Sequence, residues 1–261
     1  MKSQPYQNVR SDIAEVVERL LSGADEYHQT HRARFARTID VLLGQKPRGK
    51  LLELGTSSFI PHALRELAPG LDVSVTHFDR SRPATGTMDL EFAGAVIDVK
   101  CFSVDLETEM LSAEDKSFDV VVCCEVLEHM EVDPMFMLAE ANRILKDGGL
   151  LLLTTPNILS SRGITKMLTN IEPYFFMQYN RDGSYYRHNY EYSAKTLRSV
   201  LASAGFEGDV WSEDLFEDGL YDFVNRLRAA GFDIRNNGDN LIAVVKKVSG
   251  VLDRYPREIY V

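Results

Sequence analysis

The sequence predicts an α/β fold, a mostly parallel sheet with helices packed on both faces. Two observations carry this. Short runs of almost pure aliphatic character, such as Asp119–Cys124 and Leu150–Thr155, are strand-sized and lack a polar face, as strands covered on both sides require. Amphipathic segments with helical spacing lie between such runs, which is the alternation of a doubly covered sheet. The length of 261 residues suits one such domain and can bury a sizeable core without covalent staples.

The elements follow in order. Ser11 is placed to cap a first helix carrying Ile13, Val16, Val17, Leu20 and Leu21, with Gly23 ending it. A second helix is expected over Tyr27–Leu43, with Phe35, Ile39, Leu42 and Leu43 on one face and Gly44 and Pro47 after it. Strands are expected at Lys50–Leu54, Val73–Phe78, Val96–Val104, Asp119–Cys124 and Leu150–Thr155. A helix over Pro61–Leu67 stops at Pro69-Gly70, and another begins at the Asp133-Pro134 cap and runs to Lys146 before Gly148-Gly149. Ser193 caps a helix bearing Leu197, Val200, Leu201 and Ala204, and the last strands are Phe206–Trp211 and Leu241–Lys247. This divides the chain into an N-terminal helical cap (1–46), a main domain (47–250) with insertions at 156–192 and 212–240, and a tail (251–261). The second insertion should hold a helix near Leu220–Ala230. Long insertions over a ligand crevice commonly form lids or substrate walls.

Composition narrows the function. A formal net charge of −10 argues against a dedicated nucleic-acid binder, whose surface needs positive charge. Three cysteines, Cys101, Cys123 and Cys124, do not make a disulfide framework and point to the reducing cytoplasm. No apolar run approaches the length needed to span a bilayer, and the polar first residues do not read as a signal peptide.

Ligands of such sheets bind beyond the carboxyl ends of the strands. There the chain places Glu53-Leu-Gly55-Thr56-Ser57, then Asp79-Arg80, then Asp105-Leu106, then Glu125-Val126. A glycine at a strand-to-helix turn lets backbone approach a ligand closely. Asp79, 24 residues after Gly55, is placed to accept from ribose hydroxyls. Asp105 is placed to accept from an adenine amino group. A short-chain dehydrogenase is excluded, since no tyrosine is followed four residues later by lysine and the glycine-rich dinucleotide fingerprint is missing.

The pieces Leu51-Leu-Glu-Leu-Gly55, Asp79-Arg-Ser81, Asp105, Phe118–Met130, Glu140–Gly149 and Thr154-Thr-Pro-Asn157 resemble the class I S-adenosylmethionine-dependent methyltransferases. The likeness is to the branch that includes ubiquinone-biosynthesis O-methyltransferases. Arg187–Tyr192 and Gly238–Leu241 are more loosely similar to a subset acting on bacterial surface sugars. The resemblance implies a Rossmann-like sheet of seven strands with the last antiparallel. It implies S-adenosylmethionine as cofactor and S-adenosylhomocysteine as product. Glu53, Gly55, Thr56 and Ser57 would serve the methionine part, Asp79 and Arg80 the ribose, Asp105 and Leu106 the adenine, and Glu125 and Val126 the adenine and sulfonium side. Only Gly55 of the family's Gly-x-Gly-x-Gly is kept; Ser57 and Phe59 hold the other two positions. The methionine end of the pocket is therefore expected to have its own shape.

Methyl transfer to a hydroxyl needs the hydroxyl proton removed. His129 is the candidate base, because an imidazole titrates near neutrality, and His188 is its candidate partner. Helical spacing would put Glu125, Glu128 and His129 on one face. With His188, 59 residues beyond His129, they look like the metal site of small-RNA 2′-O-methyltransferases; a divalent ion is admitted but not favoured. Tyr185, Tyr186, Tyr190 and Tyr192 with Arg181 and Arg187 suggest either a surface loop or an aromatic substrate wall. Arg34 and Arg37 lie on a basic helix face that could meet an anion. The leading reading is O-methylation of a small hydroxyl acceptor such as a sugar or nucleotide-sugar, by a protein admitting a homodimer. N-methylation, metal-dependent RNA 2′-O-methylation and a catalytically degenerate cofactor-binding module are the alternatives.

Overall fold

The computed structural model describes residues 9–172, 187–215, 221–234 and 236–261. Helices α1 (Ser11–Leu21), α2 (Glu26–Thr30) and α3 (Arg32–Gly44) precede strand β1 (Lys50–Leu54). There follow α4 (Phe59–Leu67), β2 (Asp72–His77), β3 (Thr85–Phe92), β4 (Ala95–Ser103) and β5 (Phe118–Cys124). The chain continues through α5 (Pro134–Ile144), β6 (Leu145–Pro156), α6 (Ser161–Leu168), α7 (Ala194–Ser203), β7 (Phe206–Glu213), α8 (Tyr221–Ala229) and β8 (Asn240–Lys247). The strands form one sheet in the order β3-β4-β2-β1-β5-β6-β8-β7. From β4 through β6 the neighbours run parallel, whereas β8 is antiparallel to both β6 and β7.

Strand periodicity explains why both faces are covered. Leu52, Leu54, Val121, Cys123, Leu151 and Leu153 point to one side, where α5 and α7 bring Leu138, Ala141, Ile144, Leu197, Val200 and Leu201. Leu51, Val120, Val122, Leu150 and Leu152 point to the other, against Ile13, Val17, Ile39, Leu42, Ile60 and Leu64 of α1, α3 and α4. Each fully buried aliphatic side chain contributes roughly 1.5–3 kcal/mol. Central strands with apolar residues on both faces are thus the product of two cores sharing one sheet.

Several expectations are corrected. An extra edge strand, β3, pairs antiparallel with β4 across the Ala93-Gly94 turn; both turn residues have positive φ, 48° and 80°, the geometry of a tight hairpin. Its signal is present in the inward alternation of Met88, Leu90 and Phe92, but polar residues between them mask it. The expected helix over Tyr27–Leu43 breaks at His31 (φ −99°, ψ 13°), giving α2 and α3. Ser11 does not cap α1: it is the first helical residue, and Arg10 holds the cap position without a side-chain bond. Helix α5 stops at Ile144 because Leu145 is already extended. Its Asp133 cap does form, accepting from the Phe136 amide, as does the Ser193 cap of α7, accepting from the Thr196 amide.

Candidate active site

The site lies beyond the carboxyl ends of β1, β5 and β6. A cavity of about 1060 Å³ opens there. The turn after β1 supplies Gly55, Thr56 and Ser57; the turn after β5 supplies Glu125, Val126, Glu128 and His129. The stretch spanning α2 and the start of α3 lines one side with Tyr27, His28, His31 and Arg34, and α6 adds Arg162 and Lys166.

Gly55 has φ +67°, and a Cβ there would sit 2.7 Å from Val126 Cγ2. Glycine is therefore demanded both by backbone conformation and by the close packing of the two turns. Glu53 lies beneath the turn, 1% exposed. It accepts from the Ser57 amide at 3.1 Å, the Ser57 hydroxyl at 2.7 Å and Thr56 Oγ1 at 3.4 Å. Burial pushes its carboxyl up to about 7, against the opposing pull of the Ser57 and Thr56 bonds. Ser57 Oγ also accepts from the Ile60 amide, at the start of α4. Where the family pattern has glycine, serine fastens the turn through its side chain. Phe59, at the last glycine position, is fully buried against Phe35 and Phe92.

Asp79 and Asp105 stand at the same sheet edge, after β2 and β4, but neither lines the cavity. The Asp79 carboxylate accepts from Ser81 N at 2.9 Å, Ser81 Oγ at 2.6 Å and Arg82 Nε at 3.0 Å. The Ser81 bonds hold its pKa below the ordinary carboxylate value. Arg80 turns its guanidinium over the Phe78 ring. Asp105 Oδ1 accepts from the Glu107 amide, and Leu106 packs at the margin of the core.

Glu125 departs from the helical geometry expected of it. Its φ is +55°, and only Leu127–His129 form a short 3-10 turn. Glu125 therefore does not share a helical turn with Glu128 and His129. Its carboxylate takes Arg34 Nη1 at 2.9 Å, Thr154 Oγ1 at 2.8 Å and Asn240 Nδ2 at 3.1 Å. Burial works against the Arg34 charge, but Glu125 and the Tyr27 hydroxyl outweigh it and raise the guanidinium's pKa. Arg34 thus meets an anion of the protein itself, and Arg37 meets Glu213.

His129 and His188 come together, ring centroids 5.1 Å apart. His129 Nδ1 lies 3.0 Å from the Arg187 carbonyl oxygen, which fixes Nδ1 as the donor and leaves Nε2 with its lone pair. Burial lowers the His129 pKa below the ordinary histidine value. His188 Nδ1 pairs with Glu191 Oε1 at 2.7 Å. Glu128 is buried, accepts from Thr155 Oγ1 at 2.9 Å, and is raised far above the usual carboxylate range by burial and by Glu125. Its Oε1 has no hydrogen-bond partner and lies 3.9 Å from His129 Nε2. Glu128, His129 and His188 can present one ligand atom each within 4.8 Å of one another; Glu125 is not of this group. Tyr192 is packed into the core and Tyr190 half-exposed, neither facing the cavity. Arg181, Tyr185 and Tyr186 lie outside the described residues. Thr154, Thr155 and Asn240, which hold the two glutamates, are polar residues ending or beginning apolar strands; that placement was their sequence signal.

A fold of this topology with a Gly55-type turn facing acidic strand ends defines the class I S-adenosylmethionine-dependent methyltransferases. The chain belongs to the family whose model is described as "Methyltransferase domain", matched over residues 27–211. It is 30% identical over 128 residues to the ubiquinone biosynthesis O-methyltransferase of Thiobacillus denitrificans, covering 48% of this chain and 50% of that protein. The enzyme of the same description from Paraburkholderia phymatum is 31% identical over 108 residues, 41% of this chain and 44% of that protein. The chain thus spans about half the length of the curated relatives it matches. Among solved structures, a SAM-dependent methyltransferase from Archaeoglobus fulgidus superposes with TM-score 0.55 at 13% identity, covering 85% of this chain and all of that one. A possible histamine N-methyltransferase from Thermotoga maritima gives TM-score 0.54 at 17% identity, covering 89% and 99%. These two share the fold.

Proposed function

We propose that this protein methylates a hydroxyl oxygen of a small molecule, such as a sugar or nucleotide-sugar, with S-adenosylmethionine as donor and His129 as general base. The donor supplies a methyl carbon made electrophilic by its sulfonium and leaves as S-adenosylhomocysteine. The residues present suit it: the left-handed Gly55 gives a backbone cradle without a Cβ, and the cavity has room for an acceptor beside it. Gly55, Thr56 and Ser57, braced by Glu53, would hold its methionine part, Asp79 and Arg80 its ribose, Asp105 and Leu106 its adenine, and Glu125 and Val126 its adenine and sulfonium side. Residues 1–46 act as the cap in this reading, residues 47–250 as the catalytic domain and residues 251–261 as a tail.

The observation that carries the base assignment is the His129 Nδ1 contact with the Arg187 carbonyl. It leaves Nε2 with the lone pair that, in this reading, receives the acceptor's proton. Burial keeps the ring neutral and ready to do so. The test is transfer of label from methyl-labelled S-adenosylmethionine to a panel of catechols, hexoses, nucleotide-sugars and amines. A hydroxyl compound should be labelled, and H129Q should lower kcat by roughly 10²–10⁴ with S-adenosylhomocysteine affinity unchanged. Labelling of amines alone, or unaltered turnover by H129Q, overturns the assignment.

A second reading rests on the unpartnered Glu128 Oε1 beside two imidazoles. Glu128, His129 and His188 would hold a divalent cation, which supplies Lewis-acid activation of a bound hydroxyl. Activity abolished by chelation and restored by Mn²⁺, Zn²⁺ or Mg²⁺ selects this reading; unchanged activity after chelation removes it.

A further inference from the structure

Outside the residues that line the cavity, a polar cluster is centred on Asp133. This residue caps α5 and follows the turn carrying Glu128 and His129 by a few positions. Arg254 grips both its carboxylate oxygens, and the Tyr260 hydroxyl donates to Oδ1. Tyr260 Oη in turn accepts from the Met135 amide at 3.3 Å. A cap needs only the amide bond to Phe136; a bidentate arginine and a tyrosine exceed that need.

Segment 253–260 also reaches the loop that supplies His188. Ile259 and Tyr260 pack against the core cluster containing Tyr192, and Tyr190 Oη donates to the Glu258 carbonyl at 3.4 Å. That loop is itself fastened to the histidine turn. The Asn189 amide donates to Glu128 O at 2.7 Å, and Asn189 Nδ2 donates to His129 O at 2.9 Å. On the far side, Glu107 Oε1 accepts from the Val132 and Asp133 amides at 2.7 and 3.1 Å. The segment's own base is fixed by the Leu252 and Asp253 amides on Ser203 O.

We propose that segment 253–260 is a strap that positions His129 and His188, with Arg254 and Tyr260 as positioning residues acting through Asp133 and the 187–192 loop. The strap pins the histidine turn at its α5 end and holds the partner loop across it. The two rings can then keep a fixed mutual geometry although one comes from a 3-10 turn and the other from a loop. An error of about 1 Å in such a pair costs on the order of a hundredfold in rate. The catalytic part of this inference rests on the His129 reading above.

The test compares R254M, Y260F and R254K in the full chain. Amide exchange at Asn189 and Tyr190 should accelerate about tenfold in R254M and Y260F, while amides in β5 and β6 exchange as in wild type. On whichever hydroxyl compound of the panel turns over fastest, kcat should fall tenfold or more, with acceptor KM and S-adenosylhomocysteine affinity within about twofold. R254K, which keeps the charge, should restore part of the rate. Unchanged exchange at Asn189 and Tyr190 overturns the strap. So does a uniform loss of protection across the sheet with normal kcat at a temperature where the variant is folded. A wild type that labels no hydroxyl compound defeats the function instead, and the exchange measurement still decides the strap.

Discussion

Burial lifts the Glu53 carboxyl to about 7 from an ordinary 4.5. The folded state therefore binds more protons than the unfolded chain between those values, and Glu53's contribution to stability is lost as pH rises through that window. One pKa unit corresponds to about 1.4 kcal/mol. E53Q, which keeps an oxygen acceptor for Ser57, should remove about 1–3 kcal/mol of the pH dependence in denaturant unfolding between pH 4.5 and 8. His129 shifts the other way. Its lowered pKa means the acidic limb of kcat/KM should level off below pH 6.5, and a limb rising above that value would show that another group is titrating. Gly55 is the third residue-scale constraint. G55A forces φ +67° on an L side chain and drives a Cβ into Val126, so it should weaken S-adenosylhomocysteine binding by tenfold or more and lower stability by about 1–3 kcal/mol, read by calorimetric titration and melting.

At the scale of elements, polar contacts add to the apolar packing of the N-terminal helices on the sheet. Arg37 of α3 forks onto Glu213 at the end of β7, with Nε and Nη2 each 2.8 Å from a carboxylate oxygen, and Nη1 bonds Asp40 at 2.9 Å. Arg34 reaches from the same helix to Glu125. A double-mutant cycle of R37M and E213Q should give a coupling of about 1 kcal/mol, because the pair is bidentate and only partly exposed. A coupling indistinguishable from zero would mean that this pair adds nothing to the apolar packing of α1 and α3 and the Arg34–Glu125 bridge. Helical periodicity made α1 and α3 visible, and their apolar faces are the ones buried. The break at His31 was not visible, since Tyr27–Leu43 has no proline or glycine to announce it. The break lets the two helices turn, so that His28, His31 and Arg34 all face the cavity.

For the whole molecule, the cavity lies where the cap, the sheet edge and α6 meet, so occupancy should stabilise all three together. S-adenosylhomocysteine at a hundred times its Kd should add about 2.7 kcal/mol, roughly 5–10 °C in Tm for a chain of this size. No shift at saturating ligand would favour a degenerate module over an enzyme. No helix among the described residues is long and apolar enough to cross a membrane.

The acidic residues at strand ends, the single glycine turn and the His129 motif are local in the chain. Strand and helix periods place such residues at one sheet edge, so the fold class and most of its elements could be read from the sequence by itself, whereas β3, whose inward residues are separated by polar ones, could not. What Glu125 does could not be read. Its spacing to Glu128 and His129 is helical, yet a left-handed backbone breaks that spacing and three partners distant in sequence (Arg34, Thr154 and Asn240) take its carboxylate. Partner choice of that kind depends on which buried charges meet across elements, and only the assembled tertiary structure decides it.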